Sequence, residues 1–186
     1  MTDLSTSADE RIVEAALELI AERGLGGVTM TDVAAGAKVA RQTLYNHYSD
    51  IDSIVVAVLD RHARDSLAQV TALVGTAESA DGKIELLVRH TVAAAVHGHP
   101  AADFHAGLSP PARATIEQHG EATRDLIAAI LEEGVAVGAF RETVDPAAHA
   151  YLVQASLLGA VDLAAASGDP AEAAALATET MLRSLK

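Results

Sequence analysis

Side chains that can hydrogen-bond to nucleic acid are concentrated in one short segment, residues 41–50, with the sequence RQTLYNHYSD. The segment holds two of the three tyrosines of a 186-residue chain in which aromatic residues make up only 3%. Guanidinium and amide groups can hydrogen-bond to the edges of DNA bases, and hydroxyl and imidazole groups can donate to phosphate oxygens. The residues that carry these groups are Arg41, Gln42, Thr43, Tyr45 and His47. We therefore interpret the segment as a candidate DNA contact.

A helix over residues 40–47 would present these donors on its outer side. Leu44 and Tyr48 lie four positions apart, so both would point inward, with the donors on or beside the opposite side. We therefore predict that Tyr48 anchors the helix, whereas Tyr45 contacts the sugar-phosphate backbone.

The segment before it carries the signals of a second short helix. Thr29 and Asp32 have the spacing of a capping box, and Val28 and Val33 occupy the two hydrophobic-staple positions around it. These signals predict a helix at about residues 30–37, followed by a turn of three or four residues. Two helices joined in this way are typical of a helix-turn-helix, whose second helix enters the major groove.

The rest of the chain has the apolar spacing and the alanine content of helices, and no segment has the alternation of a β-strand. The predicted fold class is all-α, with an N-terminal three-helix helix-turn-helix head at 1–50 and a C-terminal helical body at 51–186. A helix over 51–74, which Ser49 and Asp52 would start as a capping box, connects the two. Helices are predicted at about residues 9–23, 30–37, 40–47, 51–74, 82–97, 110–137, 146–166 and 170–185, with a turn near 101–107.

The charge balance excludes several classes of protein. The chain carries 26 acidic and 13 basic residues, a formal net charge of −13, which argues against a protein that coats nucleic acid. It has no cysteine, so disulfides and thiolate metal sites are excluded. The N-terminus lacks the features of a signal peptide, and the longest uncharged apolar run, residues 146–161, falls short of the ~20 residues of a membrane span. We therefore expect a soluble cytoplasmic protein that does not enter a membrane.

From about residue 9 to residue 59, the chain resembles the DNA-binding head of the tetracycline-repressor-like (TetR) family of bacterial transcriptional regulators. The resemblance rests on the stretch ALELIAERGLGGVTMTDVAAGAKVARQTLYNHYSD. It has the family's order of a first helix, Gly-x-x-x-x-Thr, a short alanine-rich helix, a valine, and Thr-Leu-Tyr-x-His followed by an aromatic residue. The resemblance implies a homodimeric repressor that releases an operator in double-stranded DNA when a small effector enters a cavity in its body. It implies no cofactor and no enzymatic activity.

The resemblance also assigns roles to individual residues. Arg41 and Gln42 match positions that usually read bases. Met30 and Thr31 match positions at the start of the preceding helix that reach the groove. Thr43, Tyr45 and His47 match positions that hold phosphates. Two positions depart from the pattern. The turn usually carries Gly where this chain has Lys38, so either Lys38 adopts a positive φ or the turn is rearranged around Gly36. The fourth helix usually begins with a phosphate-binding Lys, and here that position is Ile51, so we expect a weaker contact with the DNA backbone.

The predicted head is not basic. Residues 1–64 contain six basic and ten acidic residues, a net charge of −4. Residues 65–186 contain seven basic and sixteen acidic residues, a net charge of −9, which DNA would repel. We hypothesise that neutral donors and helix N-termini make much of the phosphate contact, so that binding releases about two or three ions per subunit.

The C-terminal body is predicted to form the dimer and to hold the effector. Its last two helices have broad apolar faces, and the small residues Ala155 and Gly159 would let a second helix approach closely. The predicted interface consists of Tyr151, Ala155, Leu158, Gly159, Asp162, Met181 and Leu185. The predicted cavity, suited to an apolar or amphipathic effector, is lined by Leu59, His62, Leu86, Phe104, His105, His119, Leu126 and Ile130.

The residues alone leave two other functions open. The stretch at 90–105 contains His97, His99, Asp103 and His105, which could supply metal ligands to a hydrolase. The chain has no Ser/His/Asp signature, no His-Glu-x-x-His and no phosphate-binding loop, so we predict no catalytic residue and no metal site. The other alternative is a helical protein-interaction module with a degenerate DNA-binding head, which the two departures and the acidic charge favour.

Overall fold

All regular secondary structure in the residues that the structure describes, 7–98 and 107–186 of a computed structural model, is helical. The helices are α1 (Ala8–Arg23), α2 (Met30–Gly36), α3 (Arg41–His47), α4 (Ile51–Val74), α5 (Ala80–Gly98), α6 (Pro110–Ala136), α7 (Pro146–Ser167) and α8 (Pro170–Leu185), with a short 3₁₀ helix at Leu25–Gly27. The all-α prediction is therefore confirmed for these residues. The turn predicted near 101–107 lies almost wholly outside them.

Short polar side chains cap the helix starts, as their spacing predicts. Ser7 and Glu10 form the capping box of α1, with the hydroxyl accepting from the Glu10 N–H at 3.1 Å and the carboxylate accepting from the Ser7 N–H at 2.7 Å. Asp145 and Asp169 cap α7 and α8 by accepting from backbone N–H groups at 2.9–3.1 Å. These caps satisfy N–H groups that have no helical carbonyl partner.

The start of α4 differs from its prediction. Ser49 and Asp52 do not form a capping box; instead, the Asp50 carboxylate accepts from the backbone N–H of Ser53 at 2.8 Å. Ser49 donates its hydroxyl to that same carboxylate at 2.9 Å. Because Asp50 is the residue directly before the helix, its side chain is the one that reaches the N–H of the third helical residue.

The described residues divide into two units, and the division differs from the boundary predicted at residue 50. One unit, the head, contains residues 7–64 and 107–119; the other, the body, contains residues 65–98 and 120–186. The first part of α4 and the segment around the start of α6 belong to the head because they bury apolar side chains in its core. These side chains are Ile54, Val55, Val58, Leu108 and Ala112.

The core of the head holds α3 through a single fully enclosed side chain. Leu44 is 0% exposed and is the one buried residue of that seven-residue helix. Burial of such a side chain contributes about 1.5–3 kcal/mol, so Leu44 sets which side of α3 faces inward. The α1 and α2 residues packed in the same core include Ile12, Ala16, Ile20, Val33 and Ala34.

The core of the body is formed by the later parts of α4 and α6 together with α5, α7 and α8. Phe140 is 2% exposed and packs so closely on Gly134 that a Cβ atom there would lie 2.1 Å from the ring. Next to it, Arg141 donates its backbone N–H to the Leu185 carbonyl at 3.0 Å and its guanidinium to the Ser184 carbonyl at 2.6 Å. These contacts attach the connection between α6 and α7 to the end of α8.

Two residues predicted for the dimer interface lie inside the body. Met181 is 3% exposed and Leu185 is 0% exposed, and both pack in the body core. The side of α8 that carries them packs inward, whereas Leu176 is 53% exposed. The interface prediction is therefore wrong for Met181 and Leu185, because the apolar pattern of α8 does not reveal which apolar face is enclosed.

Within 7–98 and 107–186, α7 is the one helix long and apolar enough to cross a membrane, judged by length and composition only. Its apolar window has a mean hydropathy of 1.3 and is 28% buried. The helix is longer than the uncharged run considered in the sequence because it continues past Asp162 to Ser167. A core helix of a soluble protein passes the same test. α7 does contribute to the body core, through Ala150, Val153, Leu157, Ala160 and Ala164.

Candidate nucleic-acid interface

The first helix of the helix-turn-helix begins at a complete capping box. The Thr29 hydroxyl accepts from the Asp32 N–H at 3.3 Å, and the Asp32 carboxylate accepts from the Thr29 N–H at 3.0 Å. These hydrogen bonds, first from the Thr29 side chain and then from its backbone, hold the pKa of Asp32 below its ordinary value. Val28 and Val33, the predicted staple pair, are both buried. The start of α2, where Met30 follows the cap, is thereby fixed.

The turn between α2 and α3 resolves the question raised by the missing glycine. Lys38 has a φ of 54°, in the left-handed region, and is the one non-glycine with a positive φ among the described residues. The Lys38 N–H donates to the Ala35 carbonyl at 3.2 Å, and the Val39 N–H donates to the Ala34 carbonyl at 3.0 Å. This is the hydrogen-bond pattern of a Schellman motif, so Lys38 occupies the position that usually favours glycine.

The outer side of α3 presents the predicted DNA-contacting side chains. Arg41, Gln42 and His47 are exposed, and Tyr45 is 50% exposed, on the helix that buries Leu44. On α2, Thr31 is exposed, whereas Met30, like Thr43 on α3, is half-buried. The Arg41 guanidinium donates to the Thr31 hydroxyl, so the structure brings together one predicted contact from each helix.

Asn46 belongs to the same surface and was missed in the sequence analysis. Its side chain is exposed, and its Oδ1 accepts a hydrogen bond from Gln42 Nε2 at 3.0 Å. The spacing of four between Gln42 and Asn46 was the available signal, because side chains four apart on a helix are neighbours. Two side-chain amides therefore lie side by side on the face that carries Arg41.

The C-terminal end of α3 is attached to α1. Tyr48 is half-buried and packs against the head core, and its hydroxyl donates to Asp9 Oδ1 at 2.7 Å. Burial of the ring, and next the hydrogen bond to Asp9, raise the pKa of the Tyr48 hydroxyl. His47 Nδ1 lies 3.7 Å from the same carboxylate oxygen. The two tyrosines of the segment thus have different surroundings, as their positions predict.

Ile51, the second departure, is half-buried and packs against the head core. It gives α4 an apolar residue at its first position, between the acidic residues Asp50 and Asp52. The start of α4 therefore supplies no lysine side chain that could bind phosphate.

Two family models match this chain. Residues 12–58 match the family described as bacterial regulatory proteins, tetR family, and residues 98–180 match the tetracyclin repressor-like C-terminal domain. The chain belongs to the TetR family. It is a DNA-binding transcriptional regulator by that membership, and the helix-turn-helix formed by α2 and α3 lies wholly within the first matched region.

One similar relative is the HTH-type transcriptional repressor KstR2 of Rhodococcus jostii, 27% identical over 139 residues, which cover 72% of this chain and 68% of the relative. Among solved structures, reduced Escherichia coli NemR superposes with a TM-score of 0.78 at 20% identity and 94% coverage of both chains. FadR of Bacillus subtilis, solved in complex with stearoyl-CoA, has a TM-score of 0.70 at 19% identity, with 93% and 95% coverage. At these identities the structures establish a shared fold.

The residues predicted to line an effector cavity in this TetR-family chain are distributed over both units. Leu59, His62 and His119 belong to the head, and Leu86, Leu126 and Ile130 belong to the body. Partial burial, and next the nearby His62, lower the pKa of the His119 imidazole, so these two histidines do lie near one another. Phe104 and His105 lie outside the described residues. The cavity as a whole stays a prediction.

The remaining predicted interface residues of the TetR-family body are all on the exposed side of α7. Tyr151 is 62% exposed and Leu158 is 61% exposed, and Ala155, Gly159 and Asp162 are exposed beside them. Three further apolar side chains are also exposed on α7 and α8: Leu152 at 64%, Leu163 at 39% and Leu176 at 53%. We call the exposed apolar side of these two helices the α7–α8 surface.

Tyr151 on the α7–α8 surface is supported from within the body. The Arg124 guanidinium lies 4.7 Å from the centroid of the Tyr151 ring and donates to Gln154 Oε1 at 2.8 Å. Gln154 in turn donates to the Gly120 carbonyl at 3.0 Å.

The described residues contain no group of three or more potential metal ligands. Of the histidine-rich stretch, His99, Asp103 and His105 lie outside the described residues.

Lys38→Gly is expected to stabilise the head by about 1 kcal/mol, because glycine adopts the left-handed conformation without the steric cost of a Cβ atom. Urea unfolding monitored by circular dichroism measures the difference. Lys38→Ala is the matched control: it removes the same charge but keeps the Cβ atom, so it should leave stability nearly unchanged. An equal gain in both variants would show that the charge, and not the backbone conformation, is responsible.

Proposed function

We propose that this TetR-family regulator is a homodimeric repressor that binds a palindromic operator and releases it when an apolar or amphipathic effector binds. The observation that carries the proposal is the outer face of α3, where Arg41, Gln42, Asn46 and Tyr45 are exposed opposite the buried Leu44. Repression is favoured by the similarity to KstR2, which is itself described as a repressor.

The side chains at the start of α3 have the chemistry for reading bases. An arginine binds guanine through O6 and N7, and glutamine or asparagine binds adenine through N6 and N7. Arg41 and Gln42 are the first two residues of α3, the part of a recognition helix that contacts base edges. In the free protein these side chains form hydrogen bonds within the protein: Arg41 donates to Thr31, and Gln42 donates to Asn46. DNA binding would exchange these hydrogen bonds for bonds to bases.

Phosphate contact in this proposal relies on neutral donors. Tyr45 and Thr43 carry hydroxyl groups on the same helix, and the position that usually supplies a lysine at the start of α4 holds the half-buried Ile51. Each ion pair with phosphate releases counterions, so few cations mean a shallow dependence on salt. We expect a log–log slope of about −4 to −6 for the dimer.

The dimer is proposed to form through the α7–α8 surface. Five large apolar side chains are exposed on these two helices, as is typical of an interaction surface, and the small residues Ala155 and Gly159 leave room for a partner helix. At Gly159, nothing lies within 4 Å of the position of a Cβ atom. Two heads about one helical turn apart, ~34 Å, would read a palindrome that a single head would bind too weakly.

DNA recognition is tested by selecting bound duplexes from a random pool and measuring the affinity of variants by fluorescence anisotropy. Arg41→Ala, Gln42→Ala and Asn46→Ala should each weaken binding by about 1–3 kcal/mol and relax the preference at one base pair. Arg64→Ala is the control for charge. Arg64 is exposed on α4 and paired with Asp60 at 2.7 Å, so its loss should change affinity little.

Three results would count against this proposal. Failure of the wild-type chain to enrich any duplex at low salt would favour the interaction module instead. Equal losses from Arg41→Ala and Arg64→Ala would indicate charge attraction without base reading. A slope steeper than about −8 would show that cations outside this surface carry the phosphate contact.

Dimerisation is tested by placing a charge on the α7–α8 surface. Leu158→Arg should shift the protein toward monomer in sedimentation velocity measurements, because an arginine enclosed in an apolar interface leaves an unpaired charge. Leu17→Arg is the matched control, since Leu17 is an exposed leucine, 46% accessible, on α1 of the head. A Leu158→Arg protein that sediments as the wild type would exclude this surface as the interface.

The effector class is supported by the aliphatic side chains of the predicted cavity and by the binding of stearoyl-CoA by FadR, which shares the fold. By linkage, an effector that weakens DNA binding must itself be bound more weakly by the DNA-bound protein. Fatty acyl-CoA thioesters, and small phenols such as the resorcinol bound by RolR, which shares the fold, are suitable probes for release of a labelled operator. Release by polar metabolites or metal ions, with no response to either apolar series, would contradict this part of the proposal.

A further inference from the structure

The C-terminal end of α3 is attached to α1 through one carboxylate oxygen. Asp9 Oδ1 accepts from the Tyr48 hydroxyl at 2.7 Å and lies 3.7 Å from His47 Nδ1. Tyr48 directly follows α3, and its own N–H donates to the Leu44 carbonyl at 2.9 Å. Asp9 therefore contacts both the residue that ends the helix and the residue that anchors it.

We propose that Asp9 is a positioning residue for the DNA contact of His47, an inference that rests on the proposed function. The carboxylate orients the protonated His47 ring, in which both nitrogens donate, so that Nδ1–H faces Asp9 while Nε2–H is left to donate to a phosphate oxygen. Carboxylates commonly fix histidine side chains in this manner, because a partner on one ring nitrogen determines the role of the other.

The position of the Asp9 carboxylate is set by its place in α1 and by its hydrogen bond with Tyr48. Asp9 lies in the first turn of α1, whose start is fixed by the Ser7–Glu10 capping box. On the other side, the hydrogen bond from the half-buried Tyr48 gives the carboxylate a fixed partner. This distinguishes Asp9 from Glu18, an exposed acidic residue of the same helix.

A carboxylate near DNA also repels phosphate, and this effect has the opposite sign. The Asp9 side chain is 53% exposed, so salt screens its repulsion beyond about 8–10 Å. Its contact with His47 acts at 3.7 Å, well inside that distance. We therefore expect orientation of His47 to outweigh repulsion of the DNA, so removal of the charge weakens binding.

The test compares Asp9→Asn with the wild-type chain on a duplex selected by the wild type. The asparagine side-chain oxygen can still accept from Tyr48, so the midpoint of thermal unfolding should not change. Operator affinity should fall about two- to fivefold, the range that loss of an exposed ion pair allows. In a His47→Gln background, Asp9→Asn should cause no further loss. Glu18→Gln, which removes an acidic charge elsewhere on α1, should leave affinity unchanged or slightly higher.

The outcomes separate this inference from the proposed function. Unchanged or tighter binding by Asp9→Asn, or an equal loss in the His47→Gln background, would overturn the positioning role while the regulator assignment stands. A lower unfolding midpoint with weaker binding in both backgrounds would assign Asp9 to stability alone and also overturn it. If the wild type selects no duplex at all, the proposed function fails together with this inference.

Discussion

Burial of Leu44 is the constraint on which the proposed DNA-binding surface depends. α3 is seven residues long, and Leu44 is its one fully enclosed side chain. A helix of that length is not stable alone, so its orientation comes from packing. With Leu44 inside, Arg41, Gln42 and Tyr45 have to lie on the outside. A polar residue at position 44 would not be buried in the head core, so α3 would lose both its orientation and its attachment to that core.

Local hydrogen bonds then set where α3 lies in relation to α2. The Thr29–Asp32 capping box fixes the start of α2, and the Schellman pattern at Ala34, Ala35 and Lys38 fixes its end. The left-handed conformation of Lys38 is a local cost at this turn. It is tolerated because the packed helices on both sides determine the path of the chain. At the other end of α3, Asp9 and Tyr48 add a tertiary attachment.

Helix α7 is apolar on both its buried and its exposed side. α7 buries Val153 and Leu157 in the body core, yet it exposes Tyr151 and Leu158 on its other side. A helix that is apolar on all sides is usually buried. A second subunit on the α7–α8 surface would enclose it without a membrane. On that surface the Tyr151 ring packs against the Arg124 guanidinium, which also donates to Gln154.

The sequence by itself determined the helical fold and, to within about two residues, where the helices begin and end, because caps, prolines and apolar spacing act over a few residues. The positive φ of Lys38 was one of the two alternatives that the sequence left open for the turn between α2 and α3. Tertiary structure decided which of several apolar faces is enclosed: Met181 and Leu185 face the core, while Leu152 and Leu176 face outward. It also decided that the start of α6 belongs to the head and that Asp9 meets His47. Such contacts join residues far apart in the chain, and no local pattern records them.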